Sequence, residues 1–147
     1  MSPRSARKAF EPTSLSKTDF ELLSEFRYRL RRFQRVSEEV VQAEGITPLQ
    51  YLLLLHIKGF PGRDWASVGE LAERLQASHH GAVSLVSRCE LAGLVQRRQS
   101  QLDHRQVEVH LTRVGQRCVA RLAALHQTEL QAFAKAFKIP QDPNGSL

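Results

Sequence analysis

Between Ser78 and Arg105 the chain gathers side chains that can hydrogen-bond to phosphates and base edges, with nothing among them suited to covalent catalysis. If Ala82, Leu85, Val86 and Cys89 are buried on one side of a helix, then His79, His80, Val83, Ser84 and Ser87 turn outward. The hydroxyls of Ser84 and Ser87 can donate or accept, Val83 can touch a thymine methyl, and the histidines offer ring nitrogens near the helix start. Ser78 precedes them as a helix cap. The alternative for His79 is a residue that meets only phosphate or water. Further on, Asp103 and Arg105 lie in a polar run, Ser100 to Arg105, that is not expected to bury itself. An arginine on a protruding loop suits the narrow minor groove of DNA, where negative potential concentrates. The plainer alternative is a solvated turn. Arg97 and Arg98 flank the loop on opposite faces of a strand, so one of them is expected to meet a phosphate.

No nucleophile elbow, glycine-rich phosphate loop or metal-spaced cluster accompanies the chain's six histidines. Adjacent His79 and His80 would point roughly 100° apart on a helix, which does not make a metal pair. No catalytic residue, cofactor or metal is expected.

The frame for these residues is spelled out around them. Ser67 and Glu70 have capping-box spacing, so a helix is expected from Val68, with Val68, Leu71, Ala72 and Leu75 on its apolar side. Gln76 and Ala77 interrupt that pattern before Ser78 caps the second helix, and Gly93 supplies the residue able to turn left-handed past its end. After Gly93 the period changes to two. Leu94 to Arg98 reads as one strand, and Val107, Val109 and Leu111 alternate with polar residues in another. Two helices, a tight turn and a hairpin with a charged tip make a winged helix-turn-helix, with Trp65 and Ala66 as a brief third strand.

Long helices flank this module. Thr18 and Glu21 have capping-box spacing, and Leu23, Phe26, Leu30, Phe33 and Val40 form an apolar stripe that should run to about Ala43 before Gly45. Thr47, Pro48 and Gln50 open a short helix whose leucines are apolar nearly all round, which places it centrally, and Gly59, Pro61 and Gly62 end it. Thr112 caps a last long helix with Val114, Cys118, Leu122, Leu125, Phe133 and Phe137. The winged module is closed without the two long helices, so their stripes need another surface. A twofold dimer held by Phe26, Leu30, Val114 and Leu122 supplies it, and sets two recognition helices about 34–36 Å apart on a pseudo-palindromic site. Arg27, Arg29, Arg31, Arg32 and Arg35, spread around the first helix, are expected to solvate the dimer arms.

The expected organisation is a flexible arm over 1–16, a single domain over 17–137 and a tail over 138–147. Within the domain, 17–45 and 113–137 would be dimerisation helices and 47–112 the winged module. A net charge of +6 among 147 residues suits a polyanionic partner. Cys89 and Cys118 lie far apart without a CxxC and fall on apolar helix sides, so two buried, reduced thiols are expected. No run approaches a membrane span, and the expected location is cytoplasmic.

The sequences Cys89-Glu90-Leu91-Ala92-Gly93-Leu94-Val95-Gln96-Arg97, Asp103-His104-Arg105 and His110-Leu111-Thr112-Arg113-Val114-Gly115 together resemble the MarR (multiple antibiotic resistance regulator) family, over roughly Thr18 to Phe137. That family often has leucine where Cys89 stands and a basic residue where Ser84 stands. The resemblance implies a mainly α fold with a small β-hairpin wing and long terminal dimerisation helices. It implies a dimeric, sequence-specific transcriptional regulator of double-stranded DNA, a repressor relieved by a small, often aromatic, ligand. In these terms Arg105 matches the wing arginine, and Asp103 the acid that steadies the wing by pairing with a basic residue such as Arg88 or Arg74. Phe33, His56 and Trp65 would line the ligand crevice. The competing reading is a dimeric winged-helix module that binds protein and has lost specific DNA binding.

Overall fold

The computed structural model describes residues 14–137. The arm expected at 1–16 lies outside them except for its last three residues, and the tail at 138–147 lies outside entirely. Eight elements follow one another: α1 (Lys17–Ala43), α2 (Pro48–Lys58), β1 (Trp65–Ser67), α3 (Val68–Leu75), α4 (His79–Leu91), β2 (Val95–Gln99), β3 (Val107–Leu111) and α5 (Arg113–Phe137).

Helix starts follow side chains that satisfy the first, otherwise unpaired, backbone N–H groups. Thr47 with Gln50 and Ser67 with Glu70 form reciprocal capping boxes, and Ser78 Oγ accepts from the N–H of Gly81 at 3.0 Å. For α1 the structure corrects the expected box. Ser16 Oγ accepts from the N–H of Asp19 at 3.2 Å and Asp19 Oδ2 accepts from that of Ser16 at 2.8 Å, two residues before Thr18 and Glu21. Both pairs have the same spacing, and the earlier one is taken. The Ser16 hydrogen bonds also hold the Asp19 carboxyl below its ordinary pKa.

The core lies where α2 meets α3, α4, α5 and the sheet, around Leu53, Leu54, Ile57, Leu71, Val86, Val95, Val109 and Leu122. The central position of α2 is as expected, but its apolar surface is not covered all round: Leu49 and Leu52 remain exposed. The sheet order is β1-β3-β2, antiparallel throughout, with Val95 opposite Leu111 and Gln99 opposite Val107. The brief strand expected at Trp65 and Ala66 is present, with Trp65 opposite His110.

One junction locks the wing to α5. Gly93 turns left-handed at φ +74° after α4, and the next carbonyl, Leu94 O, accepts from the N–H of Thr112 at 3.0 Å. The Thr112 hydroxyl donates to Gly93 O at 2.6 Å and accepts from the N–H of Gly115 at 3.0 Å, so it caps α5 and clamps the turn together.

Both thiols are buried, as expected. Cys89 is wholly enclosed, and burial pushes its thiol from an ordinary 9.0 up to about 11, against a small opposing effect of Arg88. The fold therefore favours the neutral thiol. That contribution to stability is complete below pH 9 and lost as pH climbs through about 11, a fall of roughly 3 kcal/mol at most. Urea titrations of wild type and Cys89→Ala should show the extra alkaline loss in the wild type alone. Parallel pH profiles would contradict this assignment.

Candidate nucleic-acid interface

Helix α4 buries Ala82, Leu85, Val86 and Cys89 and leaves Ser78, His79, His80 and Ser84 exposed, with Val83 and Ser87 half-buried. Facing its first turns is the wing. Between them runs a groove of about 510 Å³ lined by His79, Val83, Arg97, Asp103, Arg105 and Gln106, among others, with the start of α3 at its edge. Five residues picked out from the sequence, on two distant segments, thus share one concave surface. Ser78, His80 and Ser84 lie on the exposed side of α4 beyond its lining.

The wing tip is built by side-chain hydrogen bonds. Ser100, expected to be solvated with the rest of the loop, is buried instead, and its hydroxyl accepts from the N–H groups of Leu102 and Asp103 at 3.3 Å each. Its backbone N–H reaches Gln106 O at 2.9 Å, and Gln99 Nε2 donates to His104 O at 2.8 Å. Asp103 does not pair with Arg88 or Arg74. Its Oδ1 accepts from the backbone N–H of Arg105 at 3.0 Å, a local turn that an Asp makes without help from another element. Arg74 lies instead over the ring of Phe60, at 4.9 Å. The Arg105 side chain is left exposed on a tip whose backbone is fixed.

Arg97 is held differently. Its Nη1 donates to Glu90 Oε1 at 3.1 Å, its backbone N–H to Glu90 Oε2 at 2.9 Å, and its Nη2 to Ser87 Oγ at 2.9 Å and Val83 O at 3.2 Å. The guanidinium is a strut that sets β2 against α4. The Ser87 hydroxyl, which also donates to Val83 O at 3.1 Å, is committed to the same network. Sequence patterning located Arg97 and Ser87 but not their mutual contact, because the pairing joins two elements.

Leu102 was not among the sequence candidates, yet it is 100% exposed at the wing tip. Its signal was present in the sequence as a lone apolar residue inside a polar loop.

The three residues expected around a ligand crevice separate. Phe33 borders a crevice of about 420 Å³ between α1, α2 and α5, together with Tyr51, Leu52, Leu55, His126 and Leu130. His56 and Trp65 lie elsewhere. His56 is half-buried, and burial with the charge of Arg74 lowers its pKa. Trp65 is covered by Arg63, whose guanidinium sits 3.9 Å from the ring centroid and pairs with Glu70. Sequence reasoning missed His126, whose Nδ1 donates to Leu122 O at 2.6 Å while Nε2 meets Ser37 Oγ at 2.8 Å and the ring stacks on Tyr51. No group of metal-ligating residues occurs among the described residues, and no helix there is long and apolar enough to cross a membrane.

Residues 44–106 match a family model described as MarR family. A relative from Thauera aromatica, described as a transcriptional regulatory protein for the hcr operon, is 28% identical over 118 residues, covering 77% of this chain and 69% of the relative. Among solved structures, AbsC of Streptomyces coelicolor, a MarR family transcriptional regulator, matches with a TM-score of 0.71 at 21% identity, over 89% of this chain and 86% of that one. A MarR family protein of Bacillus stearothermophilus matches at 0.70 and 23%, over 89% and 88%. An S. aureus MepR mutant bound to an oligodeoxyribonucleotide matches at 0.62 and 18%, over 83% and 84%.

Proposed function

Because residues 44–106 match the MarR family model and the fold matches solved MarR family regulators, we propose that this chain is a MarR-type regulator that binds a pseudo-palindromic DNA site as a homodimer and represses transcription until a small ligand releases it. The observation that carries the reading is the shared groove. His79 and Val83 on α4 and Arg105 on the wing face one concave surface, so a duplex seated there meets the helix in its major groove and the arginine in the adjacent minor groove. Arg97 positions the wing, Asp103 fixes its tip, and Leu102 offers an apolar edge to the minor groove. The similar S. aureus MepR mutant, bound to an oligodeoxyribonucleotide, supports the same partner.

Dimerisation is supported by what α1 leaves uncovered. Of its 27 residues only Val41 is buried, and Leu22 and Leu23 are 66% and 54% exposed. Val114 and Leu125 on α5 are also exposed, and a second copy would cover all four. Leu122 is not part of that surface. It is wholly buried in the chain's own core, because it points at α2 from the inner face of α5. Sedimentation at micromolar concentration should give twice the chain mass, and Leu22→Glu with Leu23→Glu should reduce it while retaining helicity. A folded wild-type monomer would remove the dimer from the account.

The effector reading rests on the crevice between α1, α2 and α5. Its lining is apolar and aromatic, with His126, Ser37 and Gln127 as polar points and no charged side chain. Phenols and other aromatic acids are its expected ligands, and one of a panel should lower DNA affinity, since only a ligand that distinguishes two states can shift them. Filling the space with Ala124→Trp should abolish that response. Ligand binding with DNA affinity unchanged would end the coupling.

A further inference from the structure

The arginines of α1 do not spread evenly round the helix. Arg27, Arg31 and Arg35 recur every four residues and Arg32 stands beside them with Tyr28, so the five line one shallow surface groove of about 430 Å³. At roughly 100° per residue this face lies opposite the apolar stripe of Leu23, Leu30, Phe33 and Val40. A dimer formed through that stripe leaves the arginines outward. Arg29 stands apart and pairs with Glu25.

Most of this charge is uncompensated. Arg35 shares Glu39 at 3.2 Å, whereas Arg27, Arg31 and Arg32 have no ion pair among the described residues. Arg32 lies 5.9 Å from the centroid of the Tyr28 ring. Like charges one turn apart destabilise a helix, so the stripe works against folding unless an anion relieves it. All four cations are arginine. Their planar forks suit phosphate, and successive turns place them about 6 Å apart along a line. The groove is shallow and carries one aromatic residue, without the buried apolar centre that a protein partner needs. A linear, repeating polyanion fits it best.

We infer that the α1 arginine stripe is a second DNA-binding surface, which holds the phosphate backbone of a duplex other than the one in the wing groove and lets a dimer bridge two DNA segments. Bridging rests on the wing reading for the first duplex, whereas the stripe's own contact with DNA is carried by different residues.

The test is a bridging assay with the full chain. One duplex is fixed to beads and a second, fluorescent duplex of unrelated sequence is supplied at low salt. Wild type should recruit the second duplex, and added salt should release it. Arg27→Gln with Arg31→Gln and Arg32→Gln should cut recruitment by about tenfold or more while leaving capture by the first duplex within about twofold. Circular dichroism should show the helices intact, since glutamine is a good helix former. Arg105→Ala should instead weaken capture by the first duplex. No recruitment by wild type, or equal recruitment by the triple variant, overturns the inference. So does stronger displacement of the fluorescent duplex by poly-glutamate than by unlabelled duplex, which would mark an acidic protein as the partner. If the groove does not bind DNA but recruitment still requires the three arginines, the wing reading falls and the stripe stands.

Discussion

Gly115→Ala should be among the most damaging single substitutions in the chain, with a loss of roughly 3 kcal/mol or more and a melting temperature lower by about 10 °C. In an ordinary helix the change from glycine to alanine stabilises by about 0.5–1 kcal/mol. Here a Cβ at position 115 would lie 2.0 Å from the Leu94 carbonyl oxygen and 2.9 Å from its carbon. Neither partner can retreat. Leu94 O is tied to the N–H of Thr112, and Gly93 O and the N–H of Gly115 are both held by the Thr112 hydroxyl. Relief requires α5 to swing off the wing junction, with loss of the cap and of the contacts of Val119 and Leu122 behind it. Gly69→Ala is the matched control. Gly69 is also in a helix but has nothing within 4 Å of an added Cβ, so that variant should be neutral or slightly more stable. Thermal melts of both variants decide the point. A Gly115→Ala melting temperature within about 2 °C of wild type would mean that the junction yields easily.

The same junction shows what the sequence revealed and what it withheld. The run from Leu111 to Gly115 and the turn at Gly93 could be recognised as a pattern, and Thr112 as a cap, because capping and left-handed turns depend on neighbours in the chain. The approach of Gly115 to Leu94 could not be read, since it depends on where α5 meets a strand some twenty residues away. Helix starts at Thr47, Ser67 and Ser78 were plain for the same local reason. Ser16 displaced Thr18 because two capping boxes of equal spacing overlapped. In the candidate site, helical period was enough to put His79, His80 and Ser84 on the outer side of α4. It could not show that Arg97 would be tied to Glu90 and Ser87, nor that Asp103 would bond within its own turn rather than to Arg88 or Arg74. The crevice was the least legible feature. Phe33, His56 and Trp65 were grouped by type, but of the three Phe33 alone borders the crevice, and His126 joins Ser37 there across 89 residues.

Arg105→Ala should give the largest loss of DNA affinity among single wing substitutions, with folding and dimerisation unchanged. The side chain is exposed and has no part in the core, and the wing tip is held by Ser100, Gln99 and the Asp103 carboxylate, which bonds only the backbone of residue 105. A minor-groove arginine lost from each subunit should cost about 1–3 kcal/mol per contact and lower the magnitude of the salt slope by up to about two. Arg29→Ala removes the same charge from α1, where Arg29 pairs with Glu25 at 2.5 Å, and should leave the slope near that of wild type.

Matched salt titrations of wild type, Arg105→Ala and Arg29→Ala on the DNA upstream of the chain's own gene test the central claim that wing and recognition helix form one DNA-binding surface. The account predicts tight binding by wild type and by Arg29→Ala, and for Arg105→Ala a weaker complex with a shallower dependence on salt. Equal affinities and slopes for Arg105→Ala and wild type would contradict it.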